Sequence, residues 1–268
     1  GVNGSGKSTL MKILAGLDTP DRGQVTYRKG IRVAFLPQEP KLPEEATVSQ
    51  VVFAGDLPAL QLVRAYEELT QQIASQPELQ PKLEQLINRI EAENAWDYEV
   101  KINQILSKLD VNFLDRQVKE LSGGQRKRVA LAQALIEEPD LIIMDEPTNH
   151  LDLDSIEWLE SYLSTAKQSL LLVTHDRYFL DSITNEIFEL TEGRIYRYQG
   201  NYEYFLAKKE ERELNQLTEA ERAQSLYKTE LEWLRRSPKA RGTKSKSRID
   251  AAQDLKARAT YQPEATDV

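Results

Sequence analysis

Hydrophobic residues in this chain fall into two patterns: short continuous runs and stripes with helical spacing. The runs predict strands at 31–37, within 140–146 and within 169–176, and a shorter segment at 24–27 also has strand character. Continuous apolar runs of this length are typical of central parallel strands that are covered on both faces.

Stripes with helical spacing occupy the intervals between the predicted strands. Leu10, Ile13, Leu14 and Leu17 predict a helix near the start of the chain. Several amphipathic, partly exposed helices are predicted between residues 60 and 109. Strands that alternate with helices in this way predict an α/β fold with a mainly helical subdomain.

The last third of the chain has a different pattern. Residues 186–198 predict a β-hairpin with Gly193 in its turn. Residues 202–234 are rich in Glu, Lys, Gln and Ala with a patchy heptad, which predicts one or two long helices. A helical linker is therefore expected to follow the α/β domain.

Composition narrows the classes of protein that remain. Apolar residues make up 40% of the chain and charged residues 29%, values typical of a folded globular protein. The chain has no cysteine, which excludes disulfides and thiolate metal sites. Its apolar runs are far shorter than the roughly 20 residues that a membrane helix needs. We expect a cytoplasmic protein without a membrane span.

The formal net charge is −8, but its distribution is uneven. Residues 235–248 hold seven Lys and Arg and no acid, so the rest of the chain carries a formal charge of about −15. Such a run is either a solvated linker or a contact for phosphate groups of a nucleic acid, and charge alone leaves both open.

The first eight residues match the phosphate-binding pattern G-x-x-x-x-G-K-[ST] at every fixed position. Glycines let successive amides point at phosphate oxygens, and the following helix adds its positive end. Lys7 would contact the β- and γ-phosphates of ATP, and the Ser8 hydroxyl would bind Mg²⁺. The alternative is a glycine- and serine-rich turn that happens to contain a lysine. The candidate ATP-binding residues are Gly1, Asn3, Gly4, Ser5, Gly6, Lys7, Ser8 and Thr9.

Four polar residues lie at the ends of predicted strands. Asp145 is expected to hold Mg²⁺, and Glu146 to polarise the attacking water. His175 could reach a γ-phosphate, and Gln38 could sense both the metal and the water. Each alone has another explanation: acids after strands often cap helices, and a lone histidine is commonly structural.

A second glycine turn precedes a predicted helix at Ser122, Gly123, Gly124 and Gln125. A helix N-terminus with a glycine pair can bind an anion. Because one nucleotide does not need two such loops, we expect this turn to face a nucleotide that a partner domain holds. An ordinary helix cap is the alternative.

These motifs, in this order over residues 1–198, resemble the ABC ATPases, which are P-loop NTPases with an inserted helical subdomain. The resemblance implies that residues 1–8 form the Walker A loop, that Gln38 belongs to the Q-loop and that 122–125 are the signature motif. It also implies a D-loop at Asp152 and a switch histidine at His175. In that family two ABC domains close over ATP and Mg²⁺.

Three further segments resemble the ABC-F family, whose soluble members carry two ABC domains and act on the ribosome. They are "NHLD" at 149–152, "HDRYFLD" at 175–181 and "YQGNYEYFL" at 198–206. The basic run resembles the linker of these proteins, most closely in the Uup-like branch, which implies contacts with ribosomal RNA and tRNA. The candidate contacts are Arg235, Arg236, Lys239, Arg241, Lys244, Lys246 and Arg248.

The expected organisation is an ABC ATPase domain at 1–200, with a helical subdomain at about 58–135, followed by an incomplete linker at 201–268. We expect missing N-terminal strands, a second ABC domain in the full-length chain, and weak or no ATPase activity of the isolated segment. Two alternatives remain: the ATP-binding subunit of a membrane transporter, and a DNA-directed ABC ATPase, since RNA and DNA present the same phosphates.

Overall fold

The computed structural model describes residues 6–55, 57–73, 76–191 and 193–235, together with Gln253 and Leu255. The described residues divide into two units, 6–183 and 184–235. Helices and strands of the first unit are α1 (Lys7–Leu14), β1 (Val33–Leu36), α2 (Val48–Val52), α3 (Pro58–Ile73), α4 (Gln80–Ala92), α5 (Trp96–Lys108), α6 (Gly123–Ile136), β2 (Leu141–Asp145), α7 (Leu153–Thr165), β3 (Ser169–Val173) and α8 (Arg177–Ile183). Those of the second unit are β4 (Glu186–Thr191), β5 (Arg194–Gln199) and α9 (Tyr202–Arg235).

The first unit is built on a parallel sheet in the order β1-β2-β3. Leu36 at the end of β1 pairs with Met144, and Asp145 at the end of β2 pairs with Val173. The central strand β2 is buried from its second residue onward, as its continuous apolar run predicts. The α/β fold class is confirmed, and the register brings the carboxyl ends of all three strands to one edge.

Helix α6 is the most buried helix of the described chain. Eight of its fourteen residues are buried, so it has almost no polar face and is covered on nearly every side. Its apolar side chains join those of β2, α2 and α5 in one continuous core. The start of α6 is therefore held firmly relative to the sheet.

Helices α3, α4 and α5 form a smaller cluster beside this core. Leu62, Ile90 and Ala95 are buried together there. The Tyr66 and Trp96 rings meet edge to face with centroids 5.1 Å apart. The helices predicted between residues 60 and 109 are thus present.

Two expectations from the sequence are wrong in detail. Residues 24–27 do not form a strand, because a strand needs a hydrogen-bonded neighbour and the described residues offer none beside this segment. Helix α1 ends at Leu14, since Gly16 adopts a φ of +73° and the Leu17 amide turns back to the carbonyl of Lys12. Leu17 is consequently exposed, and Met11 is the buried residue of α1.

The second unit pairs a hairpin with one long helix. Strands β4 and β5 are antiparallel, and Gly193 has a φ of +70° in their turn. Helix α9 runs for 34 residues without a break, so the heptad region is a single helix as far as Arg235. Within the described chain, no helix has an apolar stretch long enough to cross a membrane.

Candidate functional site

The described part of the phosphate-binding loop begins at Gly6. This residue has a φ of +86°, a left-handed conformation that favours glycine, and its carbonyl accepts from the Leu10 amide at 2.9 Å. Lys7 is therefore the first residue of α1, where it lies at the positive end of the helix. Thr9 lies exposed one turn into the same helix. Gly1, Asn3, Gly4 and Ser5 lie outside the described residues.

The hydroxyl of Ser8, in the first turn of α1, is hydrogen-bonded to the carboxylate of Asp145 at the end of β2. Ser8 Oγ donates to Asp145 Oδ2 at 2.9 Å, although 137 positions separate the two residues in the chain. Both are hard oxygen ligands of the kind that Mg²⁺ prefers, and Mg²⁺ usually takes only one or two protein ligands, with water and phosphate completing its shell. The residues present therefore fit a magnesium ion. Ser8 and Asp145 would hold it.

The parallel sheet explains how distant residues meet at this edge. Asp145 ends β2, Glu146 follows it, and His175 comes two residues after β3. Gln38 lies exposed two residues after β1 and makes no hydrogen bond with another described residue. The strand order thus gathers all four predicted residues at one edge, but only Asp145, Glu146 and His175 are held by contacts there.

Glu146 is held by its backbone in an unusual conformation. Its φ is +53°, in the left-handed region that side chains other than glycine rarely adopt. Its amide donates to the Val173 carbonyl at 2.8 Å, and its carbonyl accepts from the ammonium group of Lys127. Strain of this kind persists only where the surroundings hold it, and it is concentrated at functional sites.

The carboxylate of Glu146 is buried, with the residue only 6% exposed. Its Oε2 accepts from the backbone amide of His175 at 3.3 Å. Its Oε1 lies 3.5 Å from His175 Nε2 but makes no hydrogen bond within the described chain. The His175 side chain is itself 76% exposed, so its ring is available to a ligand.

The second glycine turn is a capped helix start. Ser122 Oγ accepts from the Gln125 amide at 3.3 Å, and Gln125 Oε1 accepts from the Ser122 amide at 3.0 Å, which is a capping box. The amides of Gly123 and Gly124, which lie between these two, have no acceptor among the described residues. The helix-cap explanation is therefore correct locally, and it leaves two amides for an anion.

The same turn packs against the segment that follows β2. A β-carbon added at Gly124 would lie 3.4 Å from His150 Cβ, an ordinary van der Waals distance, so the turn and His150 are direct neighbours. His150 is exposed and has a φ of +71°. Asp152 caps α7: its carboxylate accepts from the Ser155 amide at 2.8 Å, and this hydrogen bond lowers the pKa of Asp152. The helix-cap alternative named for Asp145 and Glu146 is thus realised at a different acid, Asp152.

Sequence reasoning missed Lys127. Read as letters, "RKR" at 126–128 suggests a solvated basic surface, yet Lys127 is only 4% exposed. Helical spacing could have found it, because Lys127 shares a face of α6 with Leu131 and Leu135, both fully buried. The predicted RNA contacts lie outside the described residues from Arg236 onward, and of Arg235 only its position at the end of α9 is described.

The chain is similar to several known ATP-binding proteins. It is 46% identical over 259 residues to the uncharacterised ABC transporter ATP-binding protein YfmR of Bacillus subtilis, covering 96% of this chain and 41% of that protein. It is 40% identical over 261 residues to the energy-dependent translational throttle protein EttA of Mycobacterium tuberculosis, covering 97% of this chain and 47% of EttA. The chain thus spans about half the length of the curated relatives it matches.

Solved structures with a similar fold include a transporter component and a ribosome factor. The ATP-binding subunit of an ABC transporter is 25% identical with a TM-score of 0.55, covering 74% of this chain and 75% of that one. The archaeal ribosome recycling factor aABCE1, in complex with the ribosomal stalk protein aP1, is 26% identical with a TM-score of 0.52, covering 78% of this chain and 35% of that one.

Two family models, both described as ABC transporter, match residues 1–149 and 188–267. The first covers more than half of the chain and includes the phosphate loop, the second glycine turn and the acids after β2. The resemblance inferred from the motifs is confirmed, with EttA, the ABC-F relative, matching across almost the whole chain. The chain belongs to the ABC family of P-loop ATP-binding domains.

Proposed function

We propose that this chain hydrolyses ATP as part of an ABC-F type protein. In that protein, ATP binding would be coupled to association with the ribosome. The observation that carries the hydrolysis is the carboxylate of Glu146, which is buried beside Asp145 and whose Oε1 accepts no hydrogen bond in the described chain. A buried acceptor without a donor costs stability, and such groups are concentrated where a ligand or water binds during function. A water bound to Oε1 would be placed for general-base catalysis.

The surrounding residues would bind the phosphates of ATP and the Mg²⁺ ion. Lys7 and the N-terminus of α1 would bind the β- and γ-phosphates, with Gly1, Asn3, Gly4, Ser5, Gly6 and Thr9 completing the loop. Bound Mg²⁺ supplies positive charge to the phosphate oxygens, and Ser8, Asp145 and Gln38 are the residues that would hold it. The exposed His175 ring would contact the γ-phosphate while its amide holds Glu146.

The two free amides at the start of α6 support a second nucleotide contact. Gly123 and Gly124, with Ser122 and Gln125, would face ATP held by a second ABC domain, and Asp152 would lie at that boundary. One phosphate loop and one signature turn would then serve different nucleotides. We therefore expect the 268-residue chain alone to turn over ATP slowly.

The ribosome assignment is supported by the relatives. EttA, a translational throttle protein, matches 97% of the chain, and aABCE1 is a ribosome recycling factor. The basic run at 235–248 would contact RNA phosphates, in ribosomal RNA or tRNA, and such contacts weaken as salt rises. A protein that works on the ribosome is expected in the cytoplasm.

Ribosome co-sedimentation of the full-length protein tests this proposal. The Glu146→Gln variant should bind ATP without hydrolysing it and should therefore stay on ribosomes with ATP but not with ADP. Glu157→Gln, the same change at an exposed position of α7, should behave as wild type. Absence of ATP-dependent association with ribosomes would contradict the ribosome role. In a separate competition experiment, binding of duplex DNA in preference to tRNA would also contradict it.

The ATP-binding subunit of a membrane transporter is the second candidate. It is favoured by the similarity to a solved subunit of that kind, which covers about three quarters of both chains. It does not explain the basic run. Stable co-purification of the full-length protein with a membrane-embedded partner would support this candidate over the ribosome role.

A further inference from the structure

A buried lysine connects α6 to the backbone of Glu146. Lys127 lies one turn after Gly123, and its ammonium group donates to the Glu146 carbonyl at 2.5 Å. The residue is 4% exposed, and its neighbours on the same face of α6 include the fully buried Leu131. An apolar side chain at this position would extend the core around α6, so packing alone does not call for an ammonium group.

Burying this cation opposes folding. Burial lowers the pKa of Lys127, and the nearby charges of Glu146 and Asp145 only partly offset that effect. A charged group that is removed from water at such a cost needs a specific partner. The partner here is a backbone carbonyl, not a carboxylate, which points to a role in fixing the chain path at Glu146.

Hydrogen bonds to β3, to the loop that follows it and to α6 hold Glu146, and its carbonyl also accepts from the Asn149 amide at 3.4 Å. Its amide is bound by β3, its carboxylate by the amide of His175, and its carbonyl by Lys127 of α6. The left-handed φ of +53° must be maintained against the tendency of a non-glycine residue to leave that region. Without Lys127 the carbonyl would keep only the longer hydrogen bond from the Asn149 amide, and the peptide could rotate and carry the carboxylate with it.

We infer that Lys127 is a positioning residue for ATP hydrolysis, which holds Glu146 in the left-handed conformation that aims its carboxylate at the attacking water. This inference rests on the proposed hydrolysis through Glu146. Lys127 touches neither nucleotide nor water in this role; it acts through the Glu146 backbone. The turnover number should therefore depend on Lys127, while ATP affinity should not.

The test compares Lys127→Met, which keeps the length of the side chain and removes the donor, with Lys108→Met, the same change at an exposed lysine of α5. In the full-length protein, Lys127→Met should lower kcat about 10- to 100-fold, because small misplacements of a catalytic group have effects of this size. The Kd for ATP should stay within about 2-fold of wild type. Lys108→Met should match wild type in both.

Two further variants separate positioning from a general structural role. Lys127→Arg keeps a charged donor and should recover most of the lost kcat. Combining Lys127→Met with Glu146→Gln should reduce the single-turnover rate no further than Glu146→Gln alone, because Lys127 acts only through that residue. Equal loss in both backgrounds would overturn the inference.

Other outcomes also decide the question. A folded Lys127→Met protein with a kcat within about 2-fold of wild type would overturn the inference. Loss of folding in both the Met and the Arg variants would overturn it too, because Lys127 would then serve the fold as a whole. If wild type does not hydrolyse ATP, or Glu146→Gln hydrolyses it normally, the proposed function fails instead.

Discussion

Two buried glutamates, one in each unit, have opposite surroundings. Glu146 and Glu189 are both 6% exposed, and both belong to or follow a strand. The carboxylate of Glu189 accepts from Arg212 Nη1 at 2.6 Å and from the Tyr198 hydroxyl at 3.1 Å, with Lys209 Nζ at 3.4 Å. The carboxylate of Glu146 accepts a hydrogen bond from one backbone amide, and its second oxygen accepts none in the described chain, with His175 Nε2 3.5 Å away.

The difference separates an acid whose burial is compensated within its own unit from one that we propose acts in catalysis. Glu189 has two cations and a phenol, so its burial is compensated and it ties the hairpin to α9. Burial acts to raise the pKa of Glu189, but the hydrogen bond and charge of Arg212, with Lys209, outweigh it and lower the pKa. Burial and the charge of Glu189 raise the pKa of Tyr198 to about 12, so its hydroxyl remains a donor. Oε1 of Glu146 instead accepts no hydrogen bond within the described chain, which leaves it free to accept one from a bound water.

The largest expected difference is in catalysis. Glu146→Gln should lower the rate of ATP hydrolysis by about 10²- to 10⁴-fold, since the amide cannot act as a general base. It should not lower the unfolding midpoint, because the buried charge that it removes is poorly compensated. Phosphate release and thermal unfolding of the full-length protein measure these two effects.

Glu189→Gln is the matched control for that prediction. It changes a glutamate of equal burial and should leave hydrolysis within a few-fold of wild type. If Glu189→Gln slowed hydrolysis as strongly as Glu146→Gln, the oxygen without a hydrogen bond could not explain the effect of Glu146→Gln. Burial of the glutamate would then explain both results.

The next largest effect concerns stability. Glu189→Met should destabilise the hairpin–α9 unit by about 3 kcal/mol, because Arg212 and Lys209, with side chains 19% and 22% exposed, lose their shared partner. Adding Arg212→Met should recover much of that loss, since apolar pairs often replace buried ion pairs at little cost. Hydrogen exchange over residues 186–212 would report the stability of this unit. Losses that simply add would contradict the coupling.

The smallest effect is the pH dependence of the same unit. Because the folded pKa of Glu189 lies below its ordinary value of 4.5, the ionised form stabilises the fold. That contribution is complete above pH 4.5 and is lost as the pH falls through the lowered pKa. Urea unfolding at a series of pH values, followed by hydrogen exchange over residues 186–212, should show this loss in wild type. The Glu189→Met/Arg212→Met variant should lack this component of the pH dependence.

Much of the nucleotide site could be predicted from the sequence because its signals are local. The continuous run before Asp145 and Glu146 predicts a central strand, and the carboxyl ends of parallel strands lie at one edge. What could not be predicted is which contacts each residue makes there. Asp145 accepts a hydrogen bond from the Ser8 hydroxyl, whereas Gln38 is exposed and makes no hydrogen bond within the described chain.

The errors have physical causes of the same kind. Residues 24–27 have strand composition, but strand formation depends on a neighbour that composition does not reveal. The stripe that ends at Leu17 extends past Gly16, where the left-handed turn stops the helix. Lys127 was not singled out from the sequence, because its burial depends on which face of α6 it occupies and adjacent residues of a helix face different directions.

The sequence by itself determined the family, the order of strands and helices, and the chemical types gathered at the strand ends, because motif spacing and apolar periodicity are written in neighbouring residues. Only the tertiary structure decided which buried acid is compensated and which is not. That property depends on residues far apart in the chain, such as Lys127 with Glu146 and Arg212 with Glu189, which folding brings within hydrogen-bond distance.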